Sequence, residues 1–174
     1  MRSSLLLAAL LGTGCVSIPD SYAPPMQRHG IAGPDNGGLR HFIAMNDEAA
    51  PAHFLRDISP NLESVLWRWT GQKPTLKFFL PTVRHLRLQV DFGINDLTLQ
   101  QTGPITISYF INGRSLDKVT YSKGGEQHFE KAVEESRLLK DSINVVSVEL
   151  DKIYVAPGDG AKLGLTLVRA GFRE

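Results

Sequence analysis

PITISYFINGRSLDKVTY, residues 104–121, sets two β-rich runs on either side of Asn112-Gly113. Asn-Gly between such runs is the strongest short-range signal for a β-hairpin. Before the turn, Ile105, Ile107, Tyr109 and Ile111 alternate with Thr106, Ser108 and Phe110. Side chains of a strand point to opposite faces with period two, so the isoleucines line one face. Asn and Gly both tolerate the positive φ that a two-residue type I′ turn requires. After the turn the apolar positions are Leu116, Val119 and Tyr121. A strict two-residue turn sets Lys118 opposite Ile107. A three-residue loop sets Val119 opposite Ile107 and Tyr121 opposite Ile105, and buries more apolar surface. Pattern alone leaves that one-residue choice open.

Outward from the hairpin, the same period recurs. Residues 39–45 and 53–58 read as short strands, and residues 65–70 place Trp67 and Trp69 on one strand face. Gly71 to Pro74 reads as a turn, after which Leu76, Phe78 and Leu80 alternate with Thr75, Lys77 and Phe79. Residues 85–92 alternate more cleanly, Leu86, Leu88, Val90 and Phe92 against His85, Arg87, Gln89 and Asp91, as a half-buried strand does. A polar loop is expected over 93–103, a short strand over 127–131, and one or two helical turns over 133–140. Residues 143–155 supply one long strand or two, and 162–172 close the chain with Leu163, Leu165 and Leu167 on one face. About eight to ten short strands with turn signals every 8–12 residues mark an all-β sandwich or barrel. The expected fold is therefore an antiparallel, jelly-roll-like β-sandwich with one short helix.

The 174-residue chain suits one such domain behind a leader. Residues 1–15, MRSSLLLAALLGTGC, carry one positive charge, a short apolar run and then small residues, the form of a secretory signal peptide over residues 1–14. The apolar run is far shorter than the ~20 residues that span a bilayer. Residues 15–38 hold Pro19, Pro24, Pro25 and Pro34 among four glycines and show no apolar periodicity, which favours an extended tether. The folded domain then occupies residues 39–174. The chain has 19 Lys and Arg against 18 Asp and Glu, and loss of Arg2 with the leader leaves 18 against 18. A chain of balanced charge is poorly equipped for nucleic acid, which needs clustered cations. The single cysteine excludes an internal disulfide and a multi-cysteine zinc site.

A leader that ends on Cys15 resembles that of a bacterial lipoprotein, whose processed N-terminal cysteine carries acyl chains. Gly12 stands where a lipobox usually has Leu, while Thr13 and Gly14 fit; ordinary cleavage after Gly14 is the alternative. Several chains on Cys15 would anchor the protein to a membrane on the periplasmic face or the cell surface. Three further stretches also resemble a known group: RWTGQKPTLKFFLP (68–81), the ISYFING hairpin and DGAKLGLTL (159–167). They are similar to the jelly-roll module of uncharacterised bacterial lipoproteins and of some membrane-embedded sugar transferases, with an architecture like that of carbohydrate-binding modules. The resemblance implies a sandwich fold over residues 54–172 and brings no catalytic residue with it.

Trp67, Arg68 and Trp69 are the candidate ligand-binding residues. A sugar ring stacks its apolar face on an indole, and an arginine fork bonds neighbouring hydroxyls. The competing reading places both tryptophans in the core, where each would bury 150–250 Å². The carboxylates Asp57, Glu63, Asp91, Asp96, Asp117, Asp151 and Asp159 are scattered, and the histidines His29, His41, His53, His85 and His128 show no metal-ligand spacing. No nucleophile elbow or phosphate loop is present in the sequence. No catalytic, cofactor or metal residue is therefore expected. The expected role is a non-catalytic envelope lipoprotein that binds a glycan or envelope polymer, the alternative a structural subunit docking on another envelope protein, and the third a glycosidase-like enzyme.

Overall fold

The computed structural model describes residues 36–174, so the expected signal peptide, Cys15 and all of the tether before residue 36 lie outside the described residues. The strands are β1 Phe42–Ala44, β2 Phe54–Ile58, β3 Arg68–Leu80, β4 Arg87–Ile94, β5 Ile105–Ile111, β6 Arg114–Tyr121, β7 Gly125–Ala132, β8 Ser142–Leu150, β9 Tyr154–Val155, β10 Lys162–Leu163 and β11 Thr166–Arg173. Two short helices, α1 Ala50–His53 and α2 Asp96–Thr102, and a single 3-10 turn at Glu135–Arg137 complete the described chain. Nine strands form one sheet in the order β6-β5-β8-β3-β11-β4-β7, with β1 on β11 and β2 on β3; β9 and β10 pair separately. All these pairings are antiparallel.

The sheet folds over on itself at β3. Arg68 and Trp69 pair with β11, whereas residues 75–80 pair with β8. Gly71 to Pro74, expected to turn the chain, instead carries β3 straight from one layer to the other. Here the backbone groups find side-chain partners: the Lys73 N–H donates to Asp57 Oδ2 at 2.9 Å, Gln72 Nε2 donates to the Leu150 carbonyl at 3.1 Å, and Pro74 has no N–H to satisfy. Beside the crossing, Thr70 binds Leu165 through both backbone and hydroxyl and accepts from the Gly164 N–H at 2.7 Å. A Cβ on Gly164 would collide with the Gly71 carbonyl oxygen, so the close approach requires glycine.

The folded sheet encloses one core. Alternation places Ile105, Ile107, Tyr109 and Ile111 of β5 inward, with Val146, Val148 and Leu150 of β8 beside them and Leu88, Val90, Phe92 and Ile94 of β4 facing them. Aromatic rings join the layers: Tyr109 stacks on Phe129 with centroids 3.5 Å apart, Phe92 meets Tyr121 edge-on at 5.4 Å, and Phe78 meets Phe172 edge-on at 5.8 Å. The buried Tyr109 hydroxyl is satisfied by that of Tyr121 at 2.9 Å. The architecture is an antiparallel, jelly-roll-like β-sandwich.

The hairpin reconciles its two candidate registers. Asn112 and Gly113, with φ of 50° and 77°, form the two-residue turn, and Ile111 faces Arg114. A β-bulge at Leu116 then shifts the pairing by one, so Val119 faces Ile107 and Tyr121 faces Ile105. The bulge lets Leu116, Val119 and Tyr121 all pack against the core. Residues 93–103, expected to be a loop, contain α2, capped by Asn95 accepting from the Leu97 N–H at 2.8 Å and stopped at Gly103. The helical turns expected over 133–140 reduce to the 3-10 turn, and residues 143–155 hold two strands.

Asn112 also locks the hairpin to the β7–β8 connection. Its Nδ2 donates to the Arg137 carbonyl and to Asn144 Oδ1, each at 2.9 Å, and its Oδ1 accepts from the Val145 N–H at 2.9 Å. Fully buried Asn144 in turn bonds Leu139 and Ser142. Asn112→Gly keeps the positive φ and removes only these bonds. We expect it to lower unfolding free energy by about 1–3 kcal/mol. Asn112→Ala, which adds left-handed strain, should lose roughly 1 kcal/mol more. Urea midpoints of the three proteins check both values; equal midpoints would show that the lock contributes nothing.

Candidate functional site

The outer face of β11, β4 and β7 carries the polar half of each alternation. Register sets Arg169 beside Asp91 and Asp91 beside His128, and in a second row Thr166 beside Gly93 and Gly93 beside Glu126. The Asp91 carboxylate, only 13% exposed, collects three donors. Arg169 Nε pairs with its Oδ2, Gln89 Nε2 donates to the same oxygen at 3.1 Å, and His128 Nδ1 lies 2.5 Å from Oδ1. His128 Nε2 lies 3.2 Å from Glu130, which also binds Arg87 Nε. Burial pushes the Asp91 pKa up, but the bonds from Arg169 and His128 outweigh it and hold the carboxyl below its ordinary value. Arg87 and then His128 likewise hold Glu130 low. The bond to Asp91 keeps His128 protonated to higher pH than a free imidazole, against a smaller opposing effect of burial.

Trp67 forms the apolar wall. Because Trp69 pairs with outward-facing Thr166, alternation puts Trp67 and Trp69 on this outer face and Arg68 inward, beside Leu167. The two indoles meet edge-on at 5.3 Å, so Trp69 buttresses Trp67, and both are half-buried rather than core. A tight turn over residues 63–67 presents them: Glu63 and Trp67 exchange backbone bonds at 2.8 and 3.2 Å. Ser64 and Val65 sit there with φ of 48° and 57°, and Val65 is 79% exposed. A β-branched residue in the left-handed region is strained, a feature that concentrates at binding sites.

Arg68 departs from the expected role. It is buried, with Nε donating to the Met45 carbonyl at 3.0 Å, Nη1 to the Pro60 carbonyl, and its guanidinium 5.4 Å from the Phe54 ring centroid. Its fork ties β3 to the β1 and β2 connections, so of the three expected ligand residues only the two indoles lie on the outer face.

Between wall and polar rows runs an open groove with two adjoining lobes. One, of about 550 Å³, is bounded by Leu66, Asn46, Asp91, His128 and Arg169. The other, of about 310 Å³, lies between Trp67 and the strip of Gly93, Gly125 and Thr166. Leu66, Glu126 and Val168 border both. An aromatic wall facing a few fixed polar groups is the lining of a small-molecule or oligomer site. Among the described residues, no group of three or more His, Cys, Asp or Glu is arranged to hold a metal ion.

Asp91, Glu126, His128 and Arg169 line the candidate groove, and sequence reasoning did not bring them together. The polar side of β4 was legible, but β4, β7 and β11 are far apart in the chain and their pairing has no local signal. Neither any protein-family model nor any curated protein matches the sequence. Solved structures share the course of the chain at low similarity. A family 35 carbohydrate-binding module from an environmental isolate has a TM-score of 0.43 and 8% identity, covering 70% of this chain and 87% of its own. An acetyl xylan esterase from the rumen bacterium Butyrivibrio proteoclasticus has a TM-score of 0.44 and 9% identity, over 78% of this chain and 34% of the esterase. A family 35 module in complex with a disaccharide containing glucuronic acid has a TM-score of 0.42 and 12% identity, over 76% of this chain and 92% of that one. Likeness at this level concerns chain course and says nothing of ligand.

The sign of the His128 effect sets a pH test. Its pKa is raised in the folded state, so its stabilisation is full below the ordinary value of 6.5 and fades as pH rises through the folded value. The imidazole should titrate above 6.5 by NMR and fall back towards it in Asp91→Asn. A His128 titration unchanged by that substitution would disprove the coupling. On stability the effect is small, below about 1 kcal/mol at this exposure.

Proposed function

We propose that the groove binds a glycan or similar envelope polymer without altering it. The observation that carries the reading is the half-exposed Trp67 standing in the wall of a concave groove, opposite fixed polar groups. An indole there stacks on the apolar face of a sugar ring, while Asn46, Arg169 and Glu126 offer donors and acceptors to its hydroxyls. The open form of the groove suits a chain of sugars. Asp91, bordering the groove, is held below its ordinary pKa, whereas a glycosidase acid needs the opposite shift. Trp67→Ala should weaken retention on an immobilised glycan array at least about thirtyfold, about 2 kcal/mol, while circular dichroism shows the fold retained. Absence of retention by the parent protein on any glycan would end this reading.

A docking role on another envelope protein is favoured by exposed Val65 and Leu66 at the groove rim. Val65→Ser separates the two: it should weaken a protein contact at the rim and leave glycan retention unchanged, because Val65 borders neither lobe. We also propose that the protein is a lipoprotein, acylated at Cys15, with residues 15–38 tethering the sandwich to a membrane outside the cytoplasm. Cys15→Ser should move the protein from the membrane to the soluble fraction; unchanged fractionation would refute the anchor.

A further inference from the structure

The outer face of the other layer, β2-β3-β8-β5-β6, has a different chemistry. Cross-strand neighbours place Phe79 beside Ile143, Val145 beside Lys77, and Phe110 in the row of Ser147 and Thr75. Ile143 is 45% exposed, and the other three apolar side chains are half-buried. Lys118 flanks Ser108 on β6, and Arg56 flanks Thr75 on β2. Lys73 lies 2.8 Å from Glu149 and 5.7 Å from the Phe110 ring centroid. Among the described residues, Lys77 and Lys118 make no ion pair. Lys73, Lys77, Lys118 and Arg56 stand against Glu149, Asp57 and Asp151; Lys73 is held by Glu149 and the Asp151 carboxylate by the Thr106 N–H, which leaves Lys77, Lys118 and Arg56 as the outward charges of this face.

Hydrogen bonding distinguishes this face from the groove. Four of its hydroxyls satisfy one another in pairs: Thr106 bonds Thr120 at 3.0 Å, and Thr75 bonds Ser147 at 3.3 Å. Around them it offers aromatic and aliphatic surface with long-stemmed cations. Rings and methyls settle at the headgroup boundary, while lysine stems lie along them and keep their ammonium groups among lipid phosphates. Positive charge on this face complements the negative potential of anionic lipid.

We propose that this sheet face rests on an anionic lipid surface, with the groove on the opposite side of the sandwich turned away from it. The contact is separate from any acyl chain on Cys15 and from what the groove binds. The test uses the full chain carrying Cys15→Ser, produced without lipidation, and vesicles of phosphatidylcholine alone or mixed equally with phosphatidylglycerol. The protein should sediment with the mixed vesicles and be released by high salt. Lys77→Glu with Lys118→Glu should weaken that partitioning at least about twenty-fivefold, about fivefold for each site. In the same background, an environment-sensitive dye on Ser108→Cys should shift to the blue on mixed vesicles, and on Glu126→Cys should not. Equal partitioning by the double variant, failure of the parent to bind mixed vesicles, or a shift only at Glu126→Cys would each overturn the proposal. The dye readout stands even if the double variant fails to fold.

Discussion

One strand belongs to both layers of this sandwich. The first residues of β3 hydrogen-bond to β11 and its last six to β8, so the packing of either layer constrains the other. Four residues in the crossing leave the regular ladder. The Lys73 N–H there donates to Asp57, Pro74 has no N–H to satisfy, and the Gln72 amide reaches across to the Leu150 carbonyl. Thr70 clasps residues 164 and 165 beside the crossing, and Arg68 holds the connections around Met45 and Pro60. The structural anchors and the indole pair thus alternate along one short stretch, and strand geometry itself separates the two roles.

The groove depends on that same stretch. Trp67 and Trp69 are rigid because β3 is pinned behind them, and the strained turn at Ser64 and Val65 is tolerated because both its ends are bonded. Opposite them, Asp91 gathers Arg169, Gln89 and His128 into one constellation across three strands. Charged groups arranged this way need little reorganisation on meeting a ligand, which is the condition for recognition by a few polar contacts. The protonated state of His128 belongs to the same constellation, since it rests on Asp91 and Glu130 rather than on burial.

The two outer faces differ although the alternation that creates them is the same. On the β11-β4-β7 side, ionic side chains of both signs neighbour a cavity and an aromatic wall. On the β8-β5-β3 side, two pairs of hydroxyls and the cations Lys77 and Lys118 frame an apolar patch. A sandwich offers two solvent faces that point in opposite directions, and here each has its own chemistry.

Strand existence, the Asn-Gly hairpin and the mainly β class were legible in the sequence because they follow from local period-two patterning and turn residues. The common face of Trp67 and Trp69 was legible for the same reason, whereas Arg68 was grouped with them although the same alternation sets it on the opposite face. Which of those faces met the core was not legible, because it depends on the edge of β11 that receives β3, nearly a hundred residues later. Tertiary packing also chose the hairpin register, through a bulge that seats Leu116, Val119 and Tyr121 together on the core. Gly71 to Pro74 carried turn residues, yet the chain passed straight on, since glycine and proline here answer a change of partner rather than of direction. Asp91, His128 and Arg169 come together only through the pairing of β4 with β7 and β11. Alternation along a strand is a property of neighbours in the chain, whereas adjacency across strands is settled by the burial of every strand at once.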